Sequence, residues 1–268
     1  MSWRLLDTGK KNAFYNMAVD EAVLKARARD LIPPTIRFYQ WVPPGLSLGY
    51  AQKASKVADV EYCQNNNIDI VRRLTGGRAI LHDDELTYSL VIEEDNLGNI
   101  LESYKVISKG IITGLKSLGL DAELKPLSKG KKAPRGVSAA CFDAPSWYEV
   151  VVNGKKLVGS AQVRKKGILL QHGSIPFSLD VEILFNTLQM GSSKKRERIK
   201  NLFLQKATTI KQEEETEIGV DILKKALVSG WEKIFNNKII PGELIEEEAD
   251  MAAELITRKY GNNEWNFR

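Results

Sequence analysis

The sequence predicts an α+β fold, with mixed, largely antiparallel sheets flanked by helices. Strand-like runs from Tyr148 onward are joined by the two-residue turns Asn153-Gly154 and Lys166-Gly167, as in antiparallel hairpins. Segments of helical period are scattered among the strands. They do not alternate with the strands as a doubly wound parallel sheet requires.

The elements follow in order. Phe14, Met17, Ala18, Ala22 and Val23 give residues 13–29 an amphipathic helical spacing. Thr35 to Trp41 reads as a strand that Pro43-Pro44-Gly45 ends. A short helix is expected over 60–66, a strand over 68–74 that breaks at Gly76-Gly77, and strands near 78–81 and 87–92. Residues 102–118 read as a helix stopped by Gly119. Tyr148–Val152, Lys155–Arg164 and Ile168–Ile175 are three successive strands. Helices are expected over 180–188, 217–236 and 243–259. Residues 190–215, basic and then acidic with little periodicity, read as a flexible connection.

The 268 residues suffice for one large domain or two small ones, and 43% hydrophobic with 27% charged residues is ordinary for a globular protein. No apolar run approaches the roughly 20 residues of a membrane span, and the first residues show no apolar signal region. A cytoplasmic location is therefore expected. Two distant cysteines, Cys63 and Cys141, without CxxC spacing argue against zinc or disulfide frameworks. The net charge of +5 points to an acidic partner, with basic clusters at 129–135, 155–156, 164–166 and 194–200.

Three segments carry candidate chemistry. In Arg72-Arg73-Leu74-Thr75-Gly76-Gly77-Arg78-Ala79-Ile80-Leu81-His82, glycines permit close backbone approach to a ligand and arginines can hold an anion. A tight turn with charged flanks explains the same residues. In Ser138-Ala139-Ala140-Cys141-Phe142-Asp143-Ala144-Pro145, a cysteine among small residues before a proline is either an exposed thiol or a packed one. In Gly154 to Gln162, strand alternation puts Lys156, Val158, Ser160 and Gln162 on one face and Leu157, Gly159 and Ala161 on the other. Lys156 then points into a pocket or to solvent. The histidines, His82 and His172, read as bases or as hydrogen-bonded polar residues. Cys63, in a polar helix-like stretch, reads as structural.

Together these segments resemble the lipoate–protein ligase and octanoyltransferase family: an RRxTGG stretch followed by His82, then KxxGSA at Lys156 to Ala161. Asn16-Met17-x-x-Asp20, Arg37-Phe38-Tyr39-x-Trp41-x-Pro43-Pro44, Lys259-Tyr260-Gly261 and Trp265 add to the resemblance, which is weakest over 190–215. The fold it implies is the biotin/lipoate ligase catalytic domain. One catalytic domain would span 1–268, with the helices from about 217 packed on it.

The run from Cys141 to Phe177 is similar to the bacterial octanoyltransferase branch acting on the glycine-cleavage lipoyl protein. That resemblance implies an octanoyl thioester on Cys141, with Lys156 lowering the thiol pKa. It implies octanoyl-acyl carrier protein as donor and a lipoyl domain as acceptor. Arg72, Arg73, Gly76, Gly77, His82, Gly159, Ser160 and Ala161 would bind substrate, with no cofactor and no metal. Three alternatives stay open at this point: an amidotransferase between lipoyl domains, an ATP-dependent ligase, and a non-catalytic carrier- or nucleic-acid-binding protein. The last rests on basic pI alone, since no nucleic-acid motif is present.

Overall fold

The computed structural model describes residues 2–126 and 148–268. An eight-stranded sheet forms the centre. Its strands are β1 (Trp3–Lys11), β2 (Thr35–Trp41), β6 (Glu85–Glu93), β7 (Ala122–Pro126), β8 (Tyr148–Val152), β9 (Lys155–Lys165), β10 (Ile168–Pro176) and β11 (Ile239–Pro241), ordered β11-β1-β2-β6-β10-β9-β8-β7. A three-stranded sheet holds β3 (Gly45–Leu48), β4 (Asp69–Arg72) and β5 (Ile80–His82), ordered β4-β3-β5. Antiparallel pairing dominates, while β1 runs parallel to both β2 and β11, and β3 parallel to β4. β1, β3, β7 and β11 go beyond the strands expected from sequence.

Local chemistry sets the helix starts. In α1 (Ala13–Arg27), the Asn12 side chain accepts from the Tyr15 N–H at 2.9 Å. Two short helices follow, α2 (Ala54–Val57) and α3 (Val60–Asn65), the latter capped by Asp59. In α4 (Ile100–Ser117), Asn99 and Glu102 form a reciprocal capping box. Then come α5 (Val181–Asn186), α6 (Ser193–Lys206), α7 (Ile210–Glu213), α8 (Val220–Phe235) and α9 (Glu246–Leu255). The flexible connection expected over 190–215 is thus corrected to two helices. The Ser192 hydroxyl caps α6, and only Ile199 and Phe203, one turn apart, are buried on it. Its four apolar residues, Ile199, Leu202, Phe203 and Leu204, crowd into its second half and do not repeat along the helix.

The large sheet separates two cores. On one face α4 and α8 pack over Phe38, Tyr88, Leu90, Val150, Val152, Leu157 and Leu169. On the other, α1 and α9 cover Leu6, Tyr39, Val91 and Leu170. Each buried Leu, Ile or Phe contributes about 1.5–3 kcal/mol of transfer free energy. α4 and α8 meet through glycines: a Cβ on Gly110 would fall 2.0 Å from Cδ1 of buried Trp231. Gly110→Ala is therefore expected to destabilise the fold by about 1–3 kcal/mol or more through overpacking, read as a lower urea midpoint. An unchanged midpoint would refute this close approach.

Candidate active site

A cleft of about 290 Å³ lies where the two sheets meet. Met17, Trp41, Ile80 and Ala161 supply apolar wall, and Ser47, Arg73, His82 and His172 supply the polar groups. The large sheet brings β2, β6, β9 and β10 to this cleft, and the small sheet brings β3 and β5.

A continuous chain of buried hydrogen bonds crosses the floor. His172 Nδ1 lies 3.1 Å from Asp20 Oδ2, and its Nε2 lies 2.7 Å from Thr75 Oγ1. His82 repeats the pattern, with Nδ1 2.8 Å from Glu85 Oε1 and Nε2 2.8 Å from Ser47 Oγ. Arg73 joins the two halves, donating through Nε to Thr75 Oγ1 (3.2 Å) and through Nη1 to Ser47 Oγ (3.0 Å). Each hydroxyl accepts from Arg73 and so has its own proton to give to a histidine Nε2. The His82 ring is further fixed by stacking on Trp41, with centroids 4.0 Å apart at 7°.

Asp20 anchors one end, accepting from Arg37 (2.7 Å), Tyr39 (2.9 Å) and Ser89 (2.8 Å) as well as His172. Burial pushes its carboxyl up, but the His172 hydrogen bond and the Arg37 charge outweigh that and hold it below the usual carboxylate value. For His172, burial pulls the imidazole below its ordinary value, against the opposing pull of Asp20. Both groups bind protons more weakly folded than unfolded, so stability rises with pH. The His172 contribution is complete above about pH 6.5 and is lost as pH falls from there. The Asp20 contribution is lost below about pH 3.9. Urea titrations from pH 7.5 to 5 are expected to show falling stability, with a shallower slope in His172→Gln. An unchanged slope in that variant would contradict the neutral, buried imidazole.

The expected site residues separate in space. Arg73, His82, Gly159 and Ala161 line the cleft. Gly76 and Gly77 form the turn beside it: Gly76 O accepts from Arg73 Nη2 at 2.9 Å, and Gly77 adopts φ +92°. Arg72 points away, and its guanidinium donates to the carbonyls of Gly49, Tyr50, Gln52, Trp265, Asn266 and Arg268. It ties β4 to the C-terminal tail. Ser160 faces α4, with its hydroxyl 2.8 Å from Tyr88 Oη.

Lys156 changes face relative to simple alternation. Val151 pairs with Lys156, as the Asn153-Gly154 turn requires, but Val150 pairs with Val158. Neighbours on β8 face opposite ways, so Lys156 and Val158 do too. One extra residue, Leu157, bulges and joins Val158 in the α4 core. Lys156 therefore shares the face of Gly159 and Ala161, the cleft side. Its Nζ sits 2.8 Å from Glu149 Oε1, with both side chains largely buried. Glu149 carries no sequence signal, because the hairpin register alone brings it to Lys156.

Cys141 lies outside the described residues. Cys63 is buried, and burial together with Asp59 pushes its thiol up to about 12. Among the described residues, no cluster of His, Cys, Asp and Glu is placed to hold a metal, and no helix is long and apolar enough to cross a membrane.

Residues 12–232 match the lipoyl protein ligase A/B catalytic domain. The octanoyltransferase LipM of Kyrpidia tusciae is 47% identical over 274 residues, spanning 100% of this chain and 99% of that protein. The LipM of Bacillus subtilis is 43% identical, spanning 100% and 98%. A chain from an archaeal lipoylation system of Thermoplasma acidophilum, a bi-partite lipoate protein ligase and its E2 lipoyl domain, superposes with TM-score 0.84 at 25% identity, covering 100% and 96%. Lipoate-protein ligase A bound with ATP gives TM-score 0.81 at 25% identity, covering 100% and 99%.

Proposed function

The chain belongs to the lipoyl protein ligase A/B catalytic domain family, and on that premise we propose that it is an octanoyltransferase of protein lipoylation working through a cysteine thioester. Identity of 47% over essentially the whole length of an octanoyltransferase is the observation that carries this reading. The ligase-like fold is shared by ATP-using relatives and does not discriminate. Cys141 before Phe142 favours a transferase, since thioester-to-amide transfer runs downhill without ATP.

Two half-reactions follow. The Cys141 thiolate attacks the carbonyl of the octanoyl thioester and expels the carrier thiolate, which takes up a proton. The free amine of a lipoyl-domain lysine then attacks the Cys141 thioester, the C–S bond breaks to release the thiolate, and the nitrogen loses a proton to solvent as the amide forms. An ordinary thiol with pKa about 8.5 is only about 3% ionised at pH 7. Lowering that by about two units raises the fraction to roughly 75%. Lys156 is the cation proposed for this role, on the cleft face of β9. Arg73 and His82, with Gly76, Gly77, Gly159 and Ala161 around them, are proposed to shape the acyl slot. We assign octanoyl-acyl carrier protein as donor and a glycine-cleavage-type lipoyl domain as acceptor, in the cytoplasm.

Intact mass spectrometry tests this directly. Incubation with octanoyl-acyl carrier protein is expected to add one octanoyl group, discharged by apo-lipoyl domain. Labelling only from an octanoylated lipoyl domain would make the enzyme an amidotransferase. Product from free octanoate that requires ATP would make it a ligase.

A further inference from the structure

The chain carries 39 basic and 34 acidic residues. Helix α6 (SKKRERIKNLFLQK) holds six of the basic residues and one of the acidic ones, so the remaining 33 and 33 balance. The entire net charge of the protein is that of one helix.

This placement works against the helix itself. Lys194, Lys195 and Arg196 occupy the first turn, which has no acidic residue, where the macrodipole favours negative charge. Lys194 and Arg198 repeat one turn apart, as do Arg196 and Lys200, and like charges at that spacing are unfavourable by a few tenths of a kcal/mol. Glu182 of α5 offsets one side, pairing with Arg196 at 3.1 Å and with Lys200, which also lies 3.6 Å from Glu197. Lys194, Lys195 and Arg198 remain exposed. Leu202 and Leu204 are exposed on the same helix, which gives the basic surface an apolar component. Where a local rule is broken and only partly offset, as at Lys194, Lys195 and Arg198, a functional surface is the expected reason.

The helix also leads to the chemistry. Ala207, the residue after α6, bridges to Lys156, and the Thr208 N–H donates to the Lys156 carbonyl at 3.0 Å. Beside them a second cleft of about 360 Å³ is lined by Leu179, Val181, Phe203, Leu204 and Ala207.

We propose that α6 is the docking surface for the acidic carrier protein that delivers the acyl thioester. The carrier's tethered arm would run past the second cleft toward Lys156. This rests on the octanoyl-transfer function above. Reach selects the donor over the acceptor. At 1.5 Å per residue, Lys194 to Lys200 lie roughly 10–20 Å along α6 from Ala207. An acceptor lysine, with its four-carbon stem, spans only about 6 Å and must dock at the cleft mouth. A thioester on a long flexible arm can be presented from farther away.

The test compares the full-length protein with the K194E/K195E/R198E triple variant. The donors are octanoyl-acyl carrier protein and the small thioester octanoyl-N-acetylcysteamine, with an apo-lipoyl domain as acceptor. The second-order rate of enzyme acylation from the carrier is expected to fall about 10–100-fold and to lose its salt dependence. Acylation from the small thioester and the KM for the acceptor are expected to stay within twofold, and the thermal midpoint is not expected to drop. Equal losses with both donors, no loss with either, or a rise confined to the acceptor KM would each overturn the assignment. A wild-type protein that transfers from neither donor would overturn the transfer function itself.

Discussion

Cys141→Ala is expected to abolish the octanoyl adduct in intact mass spectra and to lower transfer at least about a thousandfold. Without a thiolate the octanoyl group has no covalent station on the enzyme. The acceptor amine must then attack the carrier thioester directly, with both partners docked at once. What survives is positioning alone. Cys63→Ala is the matched control and is expected to keep full adduct formation. Its thiol, pushed up to about 12 by burial, is ionised only about once in 100,000 molecules at pH 7. Cys63 also packs within the small-sheet core beside Leu46, Ile68 and Leu81, away from solvent. An adduct that persists in Cys141→Ala, or disappears in Cys63→Ala, would show that the wrong thiol carries the acyl group.

Lys156→Met is expected to lower kcat/KM by about 10²–10³-fold at pH 7. It should also move the acid limb of the acylation rate upward toward the ordinary thiol value, about 8.5. The direction follows from charge: a nearby cation favours the thiolate and lowers the thiol pKa, so removing it raises that pKa. Glu149 makes the prediction two-sided. Its carboxyl lies 2.8 Å from Lys156 Nζ and opposes the lysine charge. Glu149→Gln, which keeps the shape and removes the charge, should move the acid limb downward. The two variants thus shift one pH profile in opposite directions, which a merely structural pair would not do. The pH dependence of iodoacetamide alkylation at Cys141 reads the same quantity without turnover. Shifts of the same sign in both variants would remove Lys156 from thiol activation.

Much of the architecture is legible in the sequence. β2 occupies Thr35–Trp41 and β8 Tyr148–Val152, as their β-branched and aromatic patterning indicates. Asn153 and Gly154 adopt φ +50° and +76°, and Lys166 and Gly167 +54° and +77°, so both hairpins fall where the turn residues put them. β1 and β11 were not legible. β1 runs parallel to β2 across the α1 crossover and parallel to β11 more than 200 residues away, and no local turn announces either pairing. Helix α6 was masked by its own charge, because just two of its residues reach the core.

The site divides in the same way. RRxTGG, His82 and KxxGSA could be read along the chain, but not which side chains converge. Adjacent arginines look equivalent in sequence, yet strand alternation sends them apart. Arg73 links the two histidine chains, while Arg72 fastens the C-terminal tail through main-chain carbonyls. Asp20 and His172 are 152 positions apart and meet only because α1 lies across β10.

The sequence by itself determined the α+β class, the hairpins and the family motifs, because turn geometry, side-chain periodicity and residue chemistry are local properties. Tertiary structure decided the two-sheet cleft, the Asp20–His172–Thr75–Arg73–Ser47–His82–Glu85 chain and the face on which Lys156 stands. A single bulge at Leu157 reverses simple alternation and brings Lys156 to the cleft side. Which residue bulges depends on how Leu157 and Val158 both fill the α4 core, a packing choice made between strands and helices rather than along them.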